Sequence, residues 1–319
     1  MTMTTSAMKT EILSVANMPG LDLASFDEHF AMHWLWKAPD KAKLLAEAAP
    51  RVRGIQATGS SSVDAKLINS LPKLEIIGCC GVGYDGIDVA AARTRNVIVT
   101  NTPDVLNDCV ADLALGLLIA ASRGIGRGER HVRAGRWLKG GVPLQTRVSG
   151  KRLGIVGMGR IGKVIARRAS GFDMEIAYHS RRKVADVPFT HYDKLVDLAK
   201  NSDYLVAIIP GGNDTFHLIN EEVLRALGPK GILVNVARGS VVDEAALVKC
   251  LQEGALGGAG LDVFEEEPKM PEALWTMENV VLTPHIGSGT HETRAAMSRL
   301  TLDNLVAHFA GKPVLTPVP

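Results

Sequence analysis

The chain has 319 residues, of which 46% are hydrophobic and 22% charged, and its formal net charge at pH 7 is +2. These proportions are typical of a globular protein large enough for two domains. The small charge excludes a dedicated nucleic-acid partner, and no apolar run approaches the roughly 20 residues that span a bilayer, so no membrane partner is expected. Residues 1–10 are polar, which predicts a short flexible tail on a cytoplasmic protein.

The first part of the chain alternates apolar strands with helices. The predicted strands are Ile12–Val15, Gly54–Thr58, Glu75–Cys79 and Val97–Val99. Predicted helices between them include Lys41–Ala49 and Ser62–Leu71. This alternation predicts a parallel sheet with helices on both faces.

A long apolar helix is predicted next, from roughly Asp108 to His131. More of its surface is apolar than one face needs, which favours contact with both domains or with another subunit. The stretch Gly124 to Gly141 is rich in Arg and Gly and favours a solvated loop.

A second series of six strands follows, the number in a full dinucleotide-binding sheet. These strands are Arg152–Val156, Met174–Tyr178, Tyr204–Ile208, Ile232–Asn235, Gly258–Asp262 and Val280–Leu282. A last helix, His291 to Ala310, is expected to return to the first domain and make that domain discontinuous.

A glycine-rich turn follows the first strand of this second series. The turn, Gly157-Met158-Gly159-Arg160-Ile161-Gly162, lies between an apolar strand and an apolar helical stripe. The glycines allow a tight turn and close approach of a pyrophosphate to the helix N-terminus. The sequence therefore predicts a dinucleotide site here.

The residues after the next strand bear on the choice of cofactor. An NAD site normally has an Asp or Glu there, because a carboxylate binds the ribose hydroxyls. This chain has Ser180-Arg181-Arg182, which suits a 2′-phosphate and favours NADP(H), with NAD(H) usable but weaker. Two arginines in an ordinary solvated loop are the alternative.

Three strand ends carry residues suited to reduction of a carbonyl by a nicotinamide. Arg238 can bind a carboxylate with its two-pronged guanidinium, and His285 can donate a proton. Glu267, held before Pro268, is the best oriented partner for the histidine; the other two carboxylates of the run Glu265–Glu267 are expected to be solvated. A structural salt bridge is the alternative role of Arg238.

The cysteine and histidine spacings are uninformative about cofactors. The four cysteines form no CxxC motif, and the sequence predicts reduced, buried thiols. The nine histidines include no HExxH motif or Cys/His ligand spacing, so no metal is expected. The cysteines are Cys79, Cys80, Cys109 and Cys250.

Several ordered motifs resemble the D-isomer-specific 2-hydroxyacid dehydrogenases, most closely the glyoxylate/hydroxypyruvate and hydroxyphenylpyruvate reductases. The similarity covers nearly the whole chain. The motifs are Cys80–Asp88, Asn101–Val105, GMGRIG at Gly157–Gly162, VNVARG at Val234–Gly239, DVFEEEP at Asp262–Pro268 and LTPHIG at Leu282–Gly287.

The resemblance implies a role for each matching residue. Arg238 would bind the substrate carboxylate and ketone, His285 would protonate the carbonyl oxygen, and Glu267 would hold the histidine and favour its protonated form. The backbone N–H groups of Val82 and Gly83 would bind the carboxylate. The residues implied to lie along the cofactor are Thr215, Val236 and Asp262.

The resemblance also implies an α/β fold with two doubly wound parallel-sheet domains. A flavodoxin-like, discontinuous substrate domain would comprise residues 1–102 and 288–319, and a Rossmann dinucleotide-binding domain residues 103–287. A homodimer through the latter and an active site between the domains are implied. Two features depart from the family pattern: Asn107–Cys109 leaves a cofactor contact in doubt, and the loop after Trp137 lacks a second aromatic.

The predicted function is NADPH-dependent reduction of small 2-keto acids. An NAD(H)-using D-2-hydroxyacid dehydrogenase remains open, as does a short phosphoglycerate dehydrogenase; a long one is disfavoured because the chain ends at Pro319. A formate dehydrogenase is disfavoured because that chemistry needs no acid–base group. A cofactor-sensing binding protein on the same fold is the alternative from another class.

Overall fold

The computed structural model describes residues 9–319 and divides the chain into two compact units. The first unit comprises the residues up to Leu106 together with Gly289–Pro319, and the second comprises Asn107–Ser288. Most of the tail predicted over residues 1–10 lies outside the described residues. The divisions fall a few residues from those predicted at 102 and 287.

The first unit contains a five-stranded sheet in which all pairs are parallel, with the order β2-β1-β3-β4-β5. That is the flavodoxin-like order. The strands are β1 (Glu11–Ser14), β2 (Ala31–Trp34), β3 (Gly54–Thr58), β4 (Ile76–Cys80) and β5 (Ile98–Thr100). The helices are α1 (Leu23–His29), α2 (Lys41–Ala48), α3 (Ala65–Ser70), α4 (Val89–Thr94) and α11 (His291–Phe309), with a 3-10 turn at Leu35–Lys37.

Side-chain caps begin each of these helices. Asp22, Asp40, Asp64 and Asp88 each accept a hydrogen bond from the backbone N–H three residues on, as Thr290 does for α11. An N-cap of this kind contributes about 1 kcal/mol. Helix α11 packs on β4, so it returns to the first unit as predicted.

The second unit contains a seven-stranded parallel sheet with the order β12-β11-β10-β9-β6-β7-β8. The strands are β6 (Arg152–Val156), β7 (Glu175–His179), β8 (Thr190–His191), β9 (Tyr204–Ala207), β10 (Ile232–Asn235), β11 (Gly258–Leu261) and β12 (Val280–Leu282). The helices are α5 (Asn107–Arg123), α6 (Ile125–Arg133), α7 (Arg160–Ser170), α8 (Leu195–Lys200), α9 (Glu221–Leu227) and α10 (Glu244–Gln252). Shorter 3-10 turns occur at Arg136–Lys139, Asn213–Thr215, Gly239–Val241 and Glu272–Thr276. The predicted fold class, two doubly wound α/β domains, is confirmed.

Two edge strands are missing from the sequence prediction, which gave six strands for the second sheet where seven are present. Strand β8 has only two residues, too few for an alternating pattern to emerge. Strand β2 has the sequence AMHW and is half-buried along its whole length, so it lacks the apolar run of the inner strands.

The long helix predicted from Asp108 to His131 is wrong, because the chain bends by 62° between α5 and α6. Gly124 lies at the bend with a φ of +59°, a left-handed conformation that favours glycine. The expectation of a solvated loop over Gly124–Gly141 is also wrong for much of that stretch, which forms α6 and a 3-10 turn.

All four cysteines are free, and Cys79, Cys80 and Cys250 are buried. Burial raises the pKa of the Cys80 thiol to about 11, which keeps this thiol protonated at neutral pH. Within residues 9–319, no group of three or more His, Cys, Asp or Glu side chains is placed to hold a metal ion. In the same range no single helix has the length and apolar character of a membrane span, and only the bent pair α5–α6, taken together, reaches them.

Two helical glycines of the second unit give substitutions with opposite effects. A Cβ at Gly162 in α7 would lie 2.1 Å from the Gly157 carbonyl oxygen, whereas a Cβ at Gly116 in α5 would meet nothing within 4 Å. We expect Gly162→Ala to destabilise the fold by about 1–3 kcal/mol through overpacking. Gly116→Ala should stabilise it by about 0.5–1 kcal/mol through helix propensity.

The two thermal unfolding midpoints, measured against the parent protein, check this prediction. Equal shifts of the two midpoints would contradict the close packing of the glycine turn.

Candidate active site

The carboxyl ends of the seven parallel strands bring the predicted site residues of the second unit to one edge of its sheet. The sequence order of the strands reverses where β6 pairs with β9, and ligands of such sheets bind outside this switch point. The glycine turn follows β6, and the Ser180–Arg182 segment follows β7. Arg238, Glu267 and His285 follow β10, β11 and β12, three neighbouring strands.

The first and last glycines of the turn have no room for a side chain. Gly157 has a φ of +107°, and a Cβ there would lie 2.5 Å from the Ile208 carbonyl oxygen. Gly162 packs equally closely on the carbonyl of Gly157. These contacts fix the turn against the end of β9, so the start of α7 lies directly at the sheet edge.

The middle glycine faces open space instead. A Cβ on Gly159 would meet nothing within 4 Å, so packing does not require a glycine here, and its absence of a side chain leaves room for a ligand. No side chain caps α7, whose first residues are Arg160 and Ile161. An uncapped helix start with N–H groups aimed outward fits a pyrophosphate. The Met158 side chain is buried, so only the backbone of that residue is presented.

The segment after β7 carries positive charge without a carboxylate among its own residues. The Ser180 hydroxyl donates a hydrogen bond to the Arg182 carbonyl, at 2.6 Å, and so tightens the turn. Arg181 lies 3.7 Å from Asp214, and the two side chains are 88% and 83% exposed. Exposed pairs of this kind are weak, so a phosphate can compete for the guanidinium.

A buried amide fixes the backbone around Arg238. Asn235 donates from Nδ2 to the Arg238 carbonyl at 2.9 Å and accepts from the Ala237 N–H at 3.0 Å. Gly239 allows the close approach of the next loop, since a Cβ there would lie 1.9 Å from the Phe264 carbonyl carbon. The sequence analysis missed Asn235, although a polar residue ending an apolar strand was the available signal.

The carboxylate of Asp262 holds the loop that carries His285. It is 2% exposed and accepts from the Thr283 hydroxyl at 2.6 Å and from the N–H groups of Ile286 and Gly287, both at 2.8 Å. Burial raises the pKa of Asp262 above its usual value, and these hydrogen bonds partly offset the effect. His285 itself has a φ of +52°, which few non-glycine residues adopt and which this network supports.

His285 and Glu267 are in direct contact. The distance from Nδ1 to Glu267 Oε2 is 2.7 Å, and the second carboxylate oxygen, Oε1, accepts from the Phe264 N–H at 3.1 Å. Because a carboxylate only accepts hydrogen bonds, Nδ1 carries the proton and Nε2 is left for a substrate. Burial acts to raise the pKa of Glu267, but the hydrogen bond and charge of His285, with a further contribution from Arg238, bring it below its usual value.

The expectation that two of the three glutamates Glu265–Glu267 are solvated is correct for only one of them. Glu265 is half-buried and pairs with His217, with 2.6 Å between Oε1 and Nε2, and only Glu266 is left without an ion pair in the run. His217 belongs to the segment after β9 that also contains Thr215, whose hydroxyl donates to the Pro210 carbonyl at 2.8 Å. Val236, also implied to lie along the cofactor, is buried at the end of β10.

Val82 and Gly83 lie in the first unit, in the loop that follows β4. Both are partly exposed. No residue of the range 9–319 accepts a hydrogen bond from either backbone N–H group. Two adjacent N–H groups without partners at a strand end form a site suited to an anion.

Comparison with known proteins agrees with this geometry. The family model for the NAD binding domain of D-isomer specific 2-hydroxyacid dehydrogenases matches residues 115–287. A hydroxyphenylpyruvate reductase from Plectranthus scutellarioides is 51% identical over 92% of this chain and 93% of its own length. A glyoxylate/hydroxypyruvate reductase from Arabidopsis thaliana is 48% identical over the same shares.

A solved structure extends the likeness to both units. The NADPH-dependent glyoxylate/hydroxypyruvate reductase of Sinorhizobium meliloti, in complex with NADP and malonate, superposes with a TM-score of 0.90 at 43% identity. The match covers 97% of each chain. The predictions of a nicotinamide dinucleotide-binding domain and of the family are confirmed.

Replacing Asp262 by Asn tests the network around the histidine. An Asn side chain has an NH₂ group in place of one carboxylate oxygen. That NH₂ group would face at least one of the hydrogen-bond donors that now bind Asp262, and an unsatisfied buried group costs about 1–3 kcal/mol. We expect Asp262→Asn to lower the thermal unfolding midpoint accordingly, while Asp214→Asn, at an exposed carboxylate, leaves it unchanged. A wild-type midpoint for Asp262→Asn would contradict the proposed support of the His285 loop.

Proposed function

Because the chain belongs to the D-isomer specific 2-hydroxyacid dehydrogenase family, we propose that it reduces small 2-keto acids, such as glyoxylate and hydroxypyruvate, to D-2-hydroxy acids with NADPH. The observation that carries the proposal is the 2.7 Å contact between His285 and Glu267. Glu267 follows β11, which pairs with β10, the strand that Arg238 follows. A proton donor, its carboxylate and a cation for an anionic substrate are the groups that such a reduction needs.

Substrate binding depends on charge and on backbone donors. The Arg238 guanidinium can bind the substrate carboxylate and the adjacent ketone through its parallel N–H groups. The N–H groups of Val82 and Gly83 are also proposed to bind the substrate carboxylate. This arrangement recognises the features common to all 2-keto acids, so the side-chain pocket decides among them.

When bound at the glycine turn, NADPH would supply a hydride for the ketone carbon. As negative charge develops on the carbonyl oxygen, Arg238 stabilises it, and His285 transfers its Nε2 proton to that oxygen. Glu267 remains ionised because its pKa is lowered, so it stabilises the imidazolium before the transfer and fixes the ring for it. The first product is therefore the neutral hydroxyl.

The cofactor assignment rests on the glycine turn and the segment after β7. The turn and the start of α7 bind the pyrophosphate, and Ser180, Arg181 and Arg182 bind the 2′-phosphate. Thr215, Val236 and Asp262 are proposed to lie along the rest of the cofactor. NADH lacks the 2′-phosphate, and without that group Arg181 can keep its exposed pair with Asp214. We therefore expect NADH to remain usable.

We place the enzyme in the cytoplasm as a homodimer that associates through the second unit, with no metal. The support for the dimer is a concentration of exposed apolar side chains on α6 and the residues that follow it. These are Ile125, Val132, Trp137, Leu138, Val142 and Leu144. Sedimentation analysis of Trp137→Lys checks it, with a shift towards monomer expected.

Removing the proposed acid is the sharpest test of the mechanism. His285→Ala should slow single-turnover hydride transfer to glyoxylate by about 10²–10⁴, the usual contribution of a general acid. Glu267→Gln keeps the ring contact but removes the negative charge that stabilises the imidazolium. The alkaline limb of the pH–rate profile for reduction should therefore move to lower pH.

The matched control is Glu11→Gln, which alters a His–Glu pair of the same 2.7 Å length at the amino end of β1. It should leave both rate and pH profile unchanged. A decrease of less than tenfold in the hydride-transfer rate of His285→Ala would show that His285 is not the general acid. An unchanged alkaline limb in Glu267→Gln would show that Glu267 does not stabilise the imidazolium.

Cofactor preference is tested with a panel of 2-keto acids assayed with NADPH and with NADH. One charge-assisted hydrogen bond contributes about 1.5–3 kcal/mol, which corresponds to roughly 10- to 100-fold in kcat/KM, and exposure favours the lower figure. Arg181→Ala/Arg182→Ala should remove most of this preference and spare turnover with NADH. Rising salt should weaken the preference of the wild type.

Lys41→Ala/Lys43→Ala, which removes two exposed charges from α2, controls for the change in net charge. A wild type that prefers NADH, or a double variant that keeps its preference, would show that these arginines do not read the 2′-phosphate.

A further inference from the structure

The loop after β4 has three successive carbonyl groups held by hydrogen bonds. The Gly81 oxygen accepts from the Thr102 N–H at 2.9 Å, and the Val82 oxygen accepts from Asn101 Nδ2 at 2.8 Å. The Gly83 oxygen accepts a weaker bond from the Cys79 thiol at 3.5 Å. Of the two strong donors, only that of Asn101 is a side chain.

The direction of each carbonyl fixes the direction of the next N–H. In a planar trans peptide these two groups point to opposite sides of the chain. The bond from Thr102 therefore orients the N–H of Val82, and the bond from Asn101 orients the N–H of Gly83. These are the two donors to which the proposed function assigns the substrate carboxylate.

Asn101 is in turn fixed by the segment 315–316. The Thr316 hydroxyl donates to the Asn101 carbonyl at 2.6 Å, and the Asn101 N–H donates to the Thr316 carbonyl at 3.2 Å. Asn304, fully buried on α11, donates to the Thr316 hydroxyl at 2.9 Å. Its Oδ1 accepts from the N–H groups of Leu315 and Thr316 at 2.9 and 3.1 Å.

We propose that Asn101 is a positioning residue for the 2-keto acid: its amide aims the Gly83 N–H at the substrate carboxylate, and Thr316 and Asn304 hold Asn101 in place. The inference rests on the proposed function. Without the Asn101 amide, the Val82–Gly83 peptide loses its side-chain restraint, and the Gly83 N–H is directed at the carboxylate for only part of the time. Substrate affinity falls, while the proton and hydride steps at the ketone proceed as before.

The experiment measures KM for glyoxylate, KM for NADPH, kcat and the thermal unfolding midpoint of Asn101→Ala. We expect KM for glyoxylate to rise about tenfold, equivalent to about 1.4 kcal/mol, with kcat and KM for NADPH within about twofold of wild type. That split is the signature of an interaction that binds substrate and transition state equally. The inhibition constant of oxamate, which carries the same carboxylate but is not reduced, should rise in parallel.

A second pair of variants tests the support of Asn101 from Thr316. Thr316→Val removes the hydroxyl and should raise KM for glyoxylate about threefold, whereas Thr316→Ser retains it and should restore the wild-type value. Asn279→Ala is the matched control, because Asn279 likewise donates from Nδ2 to a backbone carbonyl, that of Gly257, at 3.1 Å. It should leave KM unchanged.

An unchanged KM for glyoxylate in Asn101→Ala overturns the inference. So does a loss in which kcat, both KM values and the unfolding midpoint change together, because that indicates a purely structural role. If Asn101→Ala does not fold, the Thr316 pair decides: equal KM values for Val and Ser overturn the inference. A wild type without 2-keto acid turnover would instead refute the proposed function.

Discussion

The proposed catalytic edge is the sheet edge where β10, β11 and β12 end, and its geometry depends on the buried carboxylate of Asp262. It joins the end of β11 to the loop after β12 through three hydrogen bonds, two of them from backbone N–H groups. Burial of a carboxylate is unfavourable and raises the pKa of Asp262, and these donors offset part of that effect. These contacts support the left-handed backbone conformation of His285. In that conformation, its ring contacts Glu267, which follows the neighbouring strand β11. His285, the proposed proton donor, is thus positioned by hydrogen bonds within the protein.

Backbone N–H groups recur at each proposed anion site. The uncapped start of α7 faces the space left open by Gly159, and the loop after β4 presents the N–H groups of Val82 and Gly83, which have no acceptor among residues 9–319. Packing fixes the neighbouring glycines in the first place and hydrogen bonds fix the carbonyl groups in the second, so the donors need little reorganisation to bind an anion. In the proposed mechanism, Arg238 adds a full positive charge, which backbone groups cannot supply.

The sequence predicted those features that a few consecutive residues determine, and it missed features that depend on residues far apart in the chain. The glycine turn, the inner strands and the ends carrying Arg238, Glu267 and His285 follow from short patterns, since a strand and its following turn occupy a few consecutive residues. Edge strand β2 and the two-residue β8 lack such a pattern, and the bend at Gly124 depends on one residue's backbone angle. The contacts of Glu265 with His217 and of Thr316 with Asn101 join residues 48 and 215 positions apart. No periodicity reports contacts at that separation, so only the fold could reveal them.

The charges at the proposed catalytic edge also bear on how the proton donor of the proposed reaction is regenerated. Before reduction, the proposed partners form two pairs of opposite charge: Arg238 with the substrate carboxylate, and the His285 imidazolium with Glu267. Transfer of the proton to the product leaves Glu267 facing a neutral imidazole, which must take up a new proton before the next turnover. The His285 side chain is 43% exposed, so water can deliver the proton directly. In the proposed mechanism, the same carboxylate therefore orients the acid and stabilises its protonated form.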